Sequence, residues 1–297
     1  MSLRVNPDLS RNLLAALAEN REHEYEALQE VASGRRLNSL SDDPAAVASL
    51  VGNHTQLSAM NQFLRSISTL RSSAQMADST LNSVVLALTR AIALGVQGAN
   101  GTLTQENRLA IAKEVRGLQE QLLGLANISF QGNYLFAGTA IDTAPFVLDP
   151  AAPAGVRYVG NTAVSSVEIA EGQTIPINLP GSQVFTQPGA DVFQAVHDLI
   201  GTLETSGDVA AATAEVQKAF NLVNTQRAFY GSTLARLDTA ELFLNREKFE
   251  LARNETDLVG ADMAAAATKL VQAENTRNAT LAAGARISQL SLLDFLR

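Results

Sequence analysis

The chain of 297 residues contains no cysteine and no tryptophan, and only four of its residues are tyrosine. The absence of cysteine excludes disulfide bonds and thiolate metal sites. Aromatic residues make up 5% of the chain, a content typical of helix-rich bundles rather than of compact enzyme-like domains. With a net charge of −8, the chain also lacks the basic surface that phosphate binding requires, so we expect no nucleic-acid partner.

Proline is scarce outside one short segment. Six of the eight prolines fall between Pro145 and Pro188, and the windows 45–144 and 189–297 contain none. Proline inside a helix removes a hydrogen bond and clashes with the preceding turn, at a cost of about 3 kcal/mol. We therefore predict that both windows are helical and that the chain goes out and returns as a long rod.

Apolar residues recur at spacings of three and four in the first window. An N-terminal helix is predicted from about Leu9 to Ala32, and the longest helix from about Pro44 to Val96. The longer helix is opened by Asp43, a good helix cap that precedes proline at the first helical position. Its 64, 67, 70 spacing is a three-residue slip, where we expect the coil to overwind or break.

The second window predicts helix from near Asp191, and its periodicity is the clearest in the chain. Apolar residues recur on a single frame at intervals of seven residues, at Val216, Val223, Tyr230, Leu237, Leu244, Leu251 and Leu258. Such a repeat predicts a coiled-coil core, and its mixed intervening positions favour a multi-helix bundle over a two-stranded zipper. A last helix is predicted from about residue 261 to 295.

Short β-favouring runs, separated by glycine and proline, begin near the end of the first window and continue as far as the start of the second. They are 134–136, 156–159, 164–169, 174–179 and 182–186. Because an isolated hairpin is only marginally stable, we expect this segment to pack on the helices. The predicted fold class is therefore mainly α: a long antiparallel helical rod or coiled-coil bundle formed by both chain ends, with a small β-rich insertion in the middle.

The sequence contains no catalytic constellation. His23, His54 and His197 are scattered without a second histidine at metal-ligand spacing, and no zinc-protease, nucleophile-elbow or phosphate-loop motif occurs. We therefore predict no enzyme activity, no cofactor and no metal. Asp42 and Asp43 could form a carboxylate pair, although capping of the following helix explains them more simply. Neither a cleavable signal peptide nor a membrane-spanning segment is indicated.

Each end of the chain carries an apolar stripe on a predicted helix. The predicted layout brings the two ends together, so that these arms pair with each other or dock on neighbouring subunits. Neither arm has enough large side chains for a stable isolated pair, which favours completion by neighbouring subunits. The residues predicted to form this assembly interface are Leu13, Leu14, Leu17, Tyr25, Leu28, Val31, Leu270, Leu281, Ile287, Leu290 and Leu293.

Several segments resemble the bacterial flagellins and hook-associated axial proteins. Residues 28–44, which read LQEVASGRRLNSLSDDP, resemble the N-terminal signature of this family, and residues 98–108 resemble its next block. The segments 134–139 and 281–294 are similar to the members that lie at the junction between hook and filament. The resemblance covers both helical arms and does not extend to residues 141–189.

The resemblance implies a structural protein of the flagellum, secreted to the cell exterior by type III export. The implied partners are flagellin, a second hook-associated protein, copies of itself in a ring or helical layer, and a cytosolic export chaperone on the C-terminal arm. Nucleic acid and membrane are not among them. The implied role is that of an adaptor whose two axial faces fit different neighbours.

The resemblance also implies a division of the chain into three regions. Residues 1–43 and 258–297 would be terminal coiled-coil arms that line the core of the tube, and 44–140 with 190–257 a helical rod domain. Residues 141–189 would be a small β-rich insertion that faces outward. Two alternatives stay open. One is a flagellin filament subunit. The other is a free-standing coiled-coil module that dimerises through the apolar residues repeated every seven positions from Val216 to Leu258, which we call the seven-residue ladder.

Overall fold

A computed structural model describes residues 7–39 and 41–295, with side chains described for residues 11–39 and 41–286. Within these residues the chain forms seven helices and six short strands. The helices are α1 Pro7–Ser33, α2 Pro44–Gly98, α3 Gln105–Ala126, α4 Gly181–Val184, α5 Val192–Thr205, α6 Val209–Val259 and α7 Met263–Phe295. The strands are β1 Ser129–Phe130, β2 Asn133–Tyr134, β3 Phe146–Leu148, β4 Val156–Tyr158, β5 Ser166–Ala170 and β6 Gln173–Pro176.

The described chain divides into two compact units. The terminal unit takes in the residues up to 59 and from 247 onward, and the central unit takes in residues 60–246. Helices α2 and α6 contribute residues to both units, whereas α1 and α7 belong to the terminal unit alone. The predicted windows are thus helical over most of their length, and strands β3 to β6 fall between them as predicted. The first window is helical only as far as Ala126, because β1 and β2 lie inside it.

The core of the central unit is formed by one stripe from each of four helices. Leu88 of α2, Val115 of α3, Leu199 of α5 and Val223 of α6 all have zero exposure and belong to one apolar cluster. Burying an aliphatic side chain of this size contributes about 1.5–3 kcal/mol. This cluster is therefore the main source of stability in the central unit.

The apolar composition of α2 is explained by its burial in the core of the central unit. Its most apolar 18-residue stretch has a mean hydropathy of 1.5, enough by length and composition alone to cross a membrane, and 44% of that stretch is buried. The stripe through Leu81, Leu88 and Leu94 is covered by the cluster of the central unit. A core helix of this kind passes the same hydropathy criterion as a membrane span.

The prediction of a break in α2 is wrong. The helix runs without interruption from Pro44 to Gly98, through the slip at residues 64, 67 and 70. Ile67, at the centre of the slip, has zero exposure and packs with Ile169 and Ile175 of the hairpin β5–β6. Ile67 is thus buried against the hairpin, although it lies where the apolar spacing shifts, and the helix continues past it.

Three separate antiparallel hairpins make up the strand-rich segment. Strands β1 and β2 pair Ser129 with Tyr134, and their two-residue turn places Gln131 and Gly132 at φ of 52° and 87°. Positive φ at both turn positions matches the right-handed twist of the flanking strands. The other two pairs are β3 with β4 and β5 with β6. As expected, the segment packs on the helices, since Phe146 and Val156 belong to the main cluster.

The prediction of a strand at residues 182–186 is wrong, because this segment forms the short helix α4. Gly181 donates its N–H to the Phe136 carbonyl at 2.7 Å, and Phe185 lies with its ring centroid 5.2 Å from that of Phe136. Phe146 and Phe193 complete the aromatic cluster. Burial of these rings outweighs the β propensity of residues 182–186. For the same reason, strand β2 ends at Tyr134 and does not include Leu135 and Phe136.

Helices α2 and α6 are in close contact at Gly95. A Cβ atom on Gly95 would overlap Thr213 Oγ1 and would lie 3.1 Å from its Cγ2. Thr213 is buried and its hydroxyl donates to the Val209 carbonyl at 2.7 Å, so this side chain is held in place. Glycine is therefore required here by the contact between the helices.

We predict that Gly95→Ala destabilises the chain relative to Gly117→Ala, a change in helix α3 whose Cβ meets nothing within 4 Å. Both changes add the same helix propensity. The difference between their free energies of unfolding therefore measures the cost of overpacking at Gly95, which is about 1–3 kcal/mol. Urea unfolding of the two variants measures this difference. Equal stability of the two would contradict the close contact.

Helix α5 begins at a partly buried carboxylate. Asp191 accepts a hydrogen bond from the Gln194 N–H at 2.9 Å and thereby caps the helix. Burial raises the pKa of Asp191, and the hydrogen bonds from Gln194 and Phe193 oppose that rise only in part. A carboxyl whose pKa is higher in the folded state stabilises most below its unfolded pKa and loses that contribution as the pH rises.

We predict that Asp191→Asn becomes progressively more stable relative to the unchanged chain as the pH rises from about 3.5 to 7. Asparagine keeps the cap and carries no charge to desolvate. Urea midpoints of both chains across this range measure the difference, and all other groups cancel. A difference that shrinks with rising pH would contradict the burial of the ionised carboxylate.

Candidate assembly surface on the terminal helices

The structure brings no set of chemically reactive side chains together among the residues it describes. No group of three or more His, Asp or Glu residues there could hold a metal ion. His23 lies 3.5 Å from the exposed Glu26, and His54 lies 3.6 Å from the half-buried Glu255, so that each histidine is paired with a single carboxylate. Among the described residues, the surfaces of the helices are therefore the candidate functional sites.

Helices α1 and α7 pack against each other as an antiparallel pair. Arg277 Nη1 lies 2.6 and 2.9 Å from the two carboxylate oxygens of Glu24. Lys269 Nζ lies 3.0 Å from Glu30 Oε2, and Asn20 donates to the Thr280 hydroxyl at 2.9 Å. As the residue number rises along α1, that of its partner falls along α7, which is the signature of an antiparallel register.

One stripe on each helix forms the contact between them, which we call the seam. In both helices the seam residues follow alternating steps of three and four, and each is buried or half-buried. At one end of the seam, a Cβ on Gly284 would lie 2.9 Å from Leu13 Cδ2. The seam residues are Leu13, Leu17, Asn20, Glu24, Ala27 and Val31 of α1, and Ala266, Leu270, Ala273, Arg277, Thr280 and Gly284 of α7.

A second apolar stripe on each helix is left without a partner in the described chain, and we call it the outer stripe. On α1, Leu14, Tyr25 and Leu28 are 65%, 60% and 51% exposed. On α7, Val271 and Leu281 are 57% and 49% exposed. Each follows a seam residue by one position, so a stripe with the same three-and-four spacing runs beside the seam. Polar residues interrupt the stripe, namely Arg21 on α1 and Glu274 and Asn278 on α7. Exposed apolar residues grouped on one side of a helix are nevertheless typical of protein–protein interfaces.

The residues predicted for the assembly interface thus fall into three sets. Leu13, Leu17, Val31 and Leu270 lie in the seam, while Leu14, Tyr25, Leu28 and Leu281 lie in the outer stripes. The side chains of Ile287, Leu290 and Leu293 lie outside the described residues. Val271 was not among the predicted residues; it follows the seam residue Leu270 by one position, as Leu281 follows Thr280.

The seven-residue ladder of α6 is covered within the chain. Val216, Val223 and Tyr230 belong to the main cluster, Leu237 and Leu244 to the cluster around Ile67, and Leu251 is 9% exposed. Leu258, the last of the ladder, is half-buried and packs with Leu37 and Ala46. The described ladder therefore offers no continuous free face for a partner chain.

The connection between α1 and α2 is hydrogen-bonded to the connection between α6 and α7. Arg36 donates its backbone N–H to the Val259 carbonyl at 2.7 Å, and Ala261 donates to the Gly34 carbonyl at 3.0 Å. The Arg36 guanidinium also donates to the Leu258 carbonyl at 3.1 Å. Gly34 ends α1 with a φ of 66°, a left-handed conformation that glycine adopts readily at the C-terminal end of a helix.

Asp42 and Asp43 both accept hydrogen bonds from the backbone. Asp43 Oδ1 accepts from the Ala46 N–H at 3.0 Å, which caps α2, and Asp42 Oδ2 accepts from the Asn38 and Ser39 N–H groups at 2.8 Å. The Ala46 hydrogen bond and the nearby Arg36 guanidinium lower the pKa of Asp43. Asp43 thus caps α2, as the simpler interpretation predicted, whereas Asp42 holds the turn that precedes the helix.

Comparison with known proteins assigns the family. A sequence model described as the bacterial flagellin N-terminal helical region matches residues 8–140, and one described as the flagellin C-terminal helical region matches residues 213–296. The chain belongs to the bacterial flagellin family. All described residues of α1 except Pro7, and all of α7, fall within these matches, so the outer stripes lie in the part that flagellin-family proteins share.

Relatives of this flagellin-family chain include hook-associated proteins and flagellins. Flagellar hook-associated protein 3 of Escherichia coli (strain K12) is 24% identical over 290 residues, which cover 89% of this chain and 90% of that protein. Polar flagellin F of Vibrio parahaemolyticus is 24% identical over 320 residues, covering 86% and 85% of the two chains. A solved structure described as a flagellar hook-associated protein from Vibrio parahaemolyticus matches at 25% identity with a TM-score of 0.68, covering 74% of this chain and 100% of that chain.

The adjacent residues Leu13 and Leu14 provide a matched pair that separates the seam from the outer stripe. We predict that Leu13→Ala accelerates amide hydrogen exchange in α1 and α7, because it removes the side chain that packs on Gly284. Leu14→Ala should leave exchange unchanged, since Leu14 is 65% exposed. Mass spectrometry of amide hydrogen exchange on the isolated chain measures both effects. Equal acceleration by the two changes would contradict the placement of Leu13 in the seam and of Leu14 in the outer stripe.

Proposed function

We propose that this chain is a structural subunit of the bacterial flagellum that connects the hook to the flagellin filament. The observation that carries the proposal is the pair of outer stripes. Helices α1 and α7 already use one stripe each on their mutual seam, yet each exposes a second one. A helix with two such stripes is suited to a multi-helix assembly, in which it contacts more than one neighbour.

The size of the exposed surface supports assembly through the terminal helices. Leu14, Tyr25 and Leu28 lie on one stripe of a 27-residue helix, and Val271 and Leu281 lie on one stripe of a 33-residue helix. Each large side chain that becomes buried in an assembly contributes about 1.5–3 kcal/mol. Repeated along both helices and over many subunits, this gain would stabilise a tube whose core the terminal helices line.

The hook-associated relatives support the junction in particular. Of the two curated relatives named above, hook-associated protein 3 is matched over the larger share of both chains. The role that follows is that of an adaptor rather than an enzyme. One fold stacks helically, with one axial face fitted to a second hook-associated protein and the other to flagellin, while copies of the chain contact each other within a layer.

Export and domain roles complete the proposal. The chain would leave the cell by type III export, with a cytosolic chaperone on the C-terminal arm, and would act outside the cell. Residues 1–43 and 258–297 would line the tube, residues 44–140 and 190–257 would surround them, and residues 141–189 would face outward. The strongly acidic character of residues 141–200, with six acids and one base, suits a solvated outer surface.

Two other functions are less well supported. A flagellin filament subunit is not favoured, because the curated relative with the largest coverage reported above is hook-associated protein 3. The two roles differ in copy number, since a junction needs few subunits and a filament needs many. A free-standing dimeric coiled coil would need an exposed ladder on α6, whereas Val216, Val223 and Tyr230 are buried within the chain.

Deletion of the gene and its complementation by variants test the proposal. Cells that lack the chain should carry hooks without filaments and release flagellin into the medium. We predict that the triple change Leu14→Gln, Tyr25→Gln and Leu28→Gln fails to restore filaments and swimming, because polar side chains gain nothing on burial. Electron microscopy, motility plates and immunoblots of the medium measure filaments, swimming and export of the variant.

The matched control changes three exposed polar residues of the same helix, as Glu19→Gln, Glu22→Gln and Glu26→Gln. This control should restore filaments and swimming. Since surface changes alter stability only slightly, both variants should unfold at the urea concentration of the unchanged chain. Normal swimming with the triple change on the outer stripe, or filaments on cells that lack the gene, would refute the proposed role.

A further inference from the structure

The turn between α2 and α3 contains the only asparagine–glycine pair in the sequence, Asn100 followed by Gly101. An asparagine side chain can react with the backbone nitrogen that follows it, because attack of that nitrogen on the carboxamide carbon closes a five-membered ring. Glycine obstructs this attack least, since it has no Cβ and the widest range of backbone conformations. Both residues are exposed, so water and hydroxide reach them.

The backbone nitrogen of Gly101 is available for this attack. In the described part of the chain, the Gly101 N–H donates no hydrogen bond. The situation at Asn38, in the connection between α1 and α2, is different: the following N–H, that of Ser39, donates to Asp42 Oδ2 at 2.8 Å. An N–H held by a carboxylate loses its proton less readily than one that faces water. Hydroxide can therefore remove the Gly101 proton more easily than the Ser39 proton.

The carboxamide of Asn100 is held and polarised by Thr102. The Thr102 backbone N–H donates to Asn100 Oδ1 at 3.1 Å, and the Thr102 hydroxyl donates to the same oxygen at 2.9 Å. Negative charge develops on Oδ1 when the Gly101 nitrogen attacks Cγ, and donors at that oxygen stabilise it. The backbone hydrogen bond also closes a ring of atoms that contains both Cγ and the Gly101 nitrogen, which limits how far the two can separate.

We propose that Asn100 is a site of spontaneous deamidation in the folded chain, at which Thr102 polarises the reacting carboxamide. The Gly101 nitrogen gives up its proton and bonds to Cγ, the bond between Cγ and Nδ2 breaks, and ammonia leaves with that proton. Water then opens the resulting succinimide. Cleavage between Cγ and the Gly101 nitrogen gives aspartate, whereas cleavage between that nitrogen and the backbone carbonyl carbon of Asn100 gives isoaspartate.

Either product changes the turn. Aspartate places a negative charge two residues beyond Gly98, the last residue of α2, and the helix dipole disfavours an anion at that end. Isoaspartate routes the main chain through Cγ and so displaces the Asn100 carbonyl, which accepts a hydrogen bond from the Leu103 N–H at 3.1 Å. The Leu103 side chain packs against the core of the central unit. The modification would therefore loosen the attachment of this turn to the core.

Timed incubation of the purified, folded chain at mildly alkaline pH tests the proposal. Trypsin cleaves after Arg90 and Arg108 and releases the peptide 91–108, in which fragment masses separate deamidation at Asn100 from that at Asn107. Water enriched in a heavy oxygen isotope labels the product, because the water that opens the succinimide supplies one oxygen. We expect labelled aspartate and isoaspartate at Asn100, formed faster as the pH rises and at least as fast as in the chain unfolded in guanidinium chloride.

Substitutions on either side of the reacting bond separate the attack from the polarisation. A Cβ at Gly101 meets nothing within 4 Å, and its φ is not positive, so Gly101→Ala keeps the turn while its methyl group obstructs the attack. We expect loss of the product over the same incubation. Thr102→Val removes the hydroxyl donor and should slow the reaction by about 5-fold, as loss of one hydrogen bond of ordinary strength would give. Thr102→Ser is the matched control, which keeps the donor and should react like the unchanged chain.

The proposal is overturned if the folded chain forms no labelled product at Asn100, or if it reacts more slowly than the unfolded chain. Equal rates for Thr102→Val and Thr102→Ser would overturn the role of the Thr102 hydroxyl. Since the reaction takes place within one turn of a single chain, the inference stands independently of the proposed function.

Discussion

Burial of the α6 ladder within its own chain is the constraint on which the rest of the structure depends. In the central unit, Val216 and Val223 contact α2, α3 and α5 through one continuous cluster, and Leu237 and Leu244 are covered by the hairpin β5–β6. Tyr230 lies between them, and its buried hydroxyl accepts a hydrogen bond from the Leu179 N–H at 3.3 Å. Burial raises the pKa of this tyrosine, so its hydroxyl is neutral at physiological pH. One helix thereby organises both the helical core and the strand-rich segment.

The terminal unit follows the opposite principle. Where the central unit surrounds each apolar stripe with several elements, α1 and α7 have only each other, and a pair of helices can cover one stripe apiece. The outer stripes are therefore a direct result of giving long amphipathic helices too few neighbours. Alanine and leucine supply much of the contact on the seam, Arg277 and Glu24 form an ion pair across it, and the leucines of the outer stripes and Tyr25 stay exposed.

Most of the helices could be predicted from the sequence because proline is absent and the apolar period is regular. Helix α2 was predicted to within two residues of Pro44–Gly98. Long-range contacts account for the errors. The continuity of α2 at Ile67 depends on a hairpin more than a hundred residues away, and α4 depends on rings of Phe136 and Phe146 that no local pattern reveals. The apolar residues of the arms were found in the sequence, but their division into seam and outer stripe requires knowing which residue of α7 faces which residue of α1.

The bridge between the two connections has a mechanical consequence. Residues 34–36 and 259–261 run side by side in opposite chain directions and share two backbone hydrogen bonds, from Arg36 to Val259 and from Ala261 to Gly34. A force that draws α1 and α7 together away from the bridge stretches both connections equally and leaves these bonds unstrained. A force on one helix alone displaces one connection past the other and must break them. The fold thus resists the peeling of a single end more strongly than its two covalent connections would by themselves.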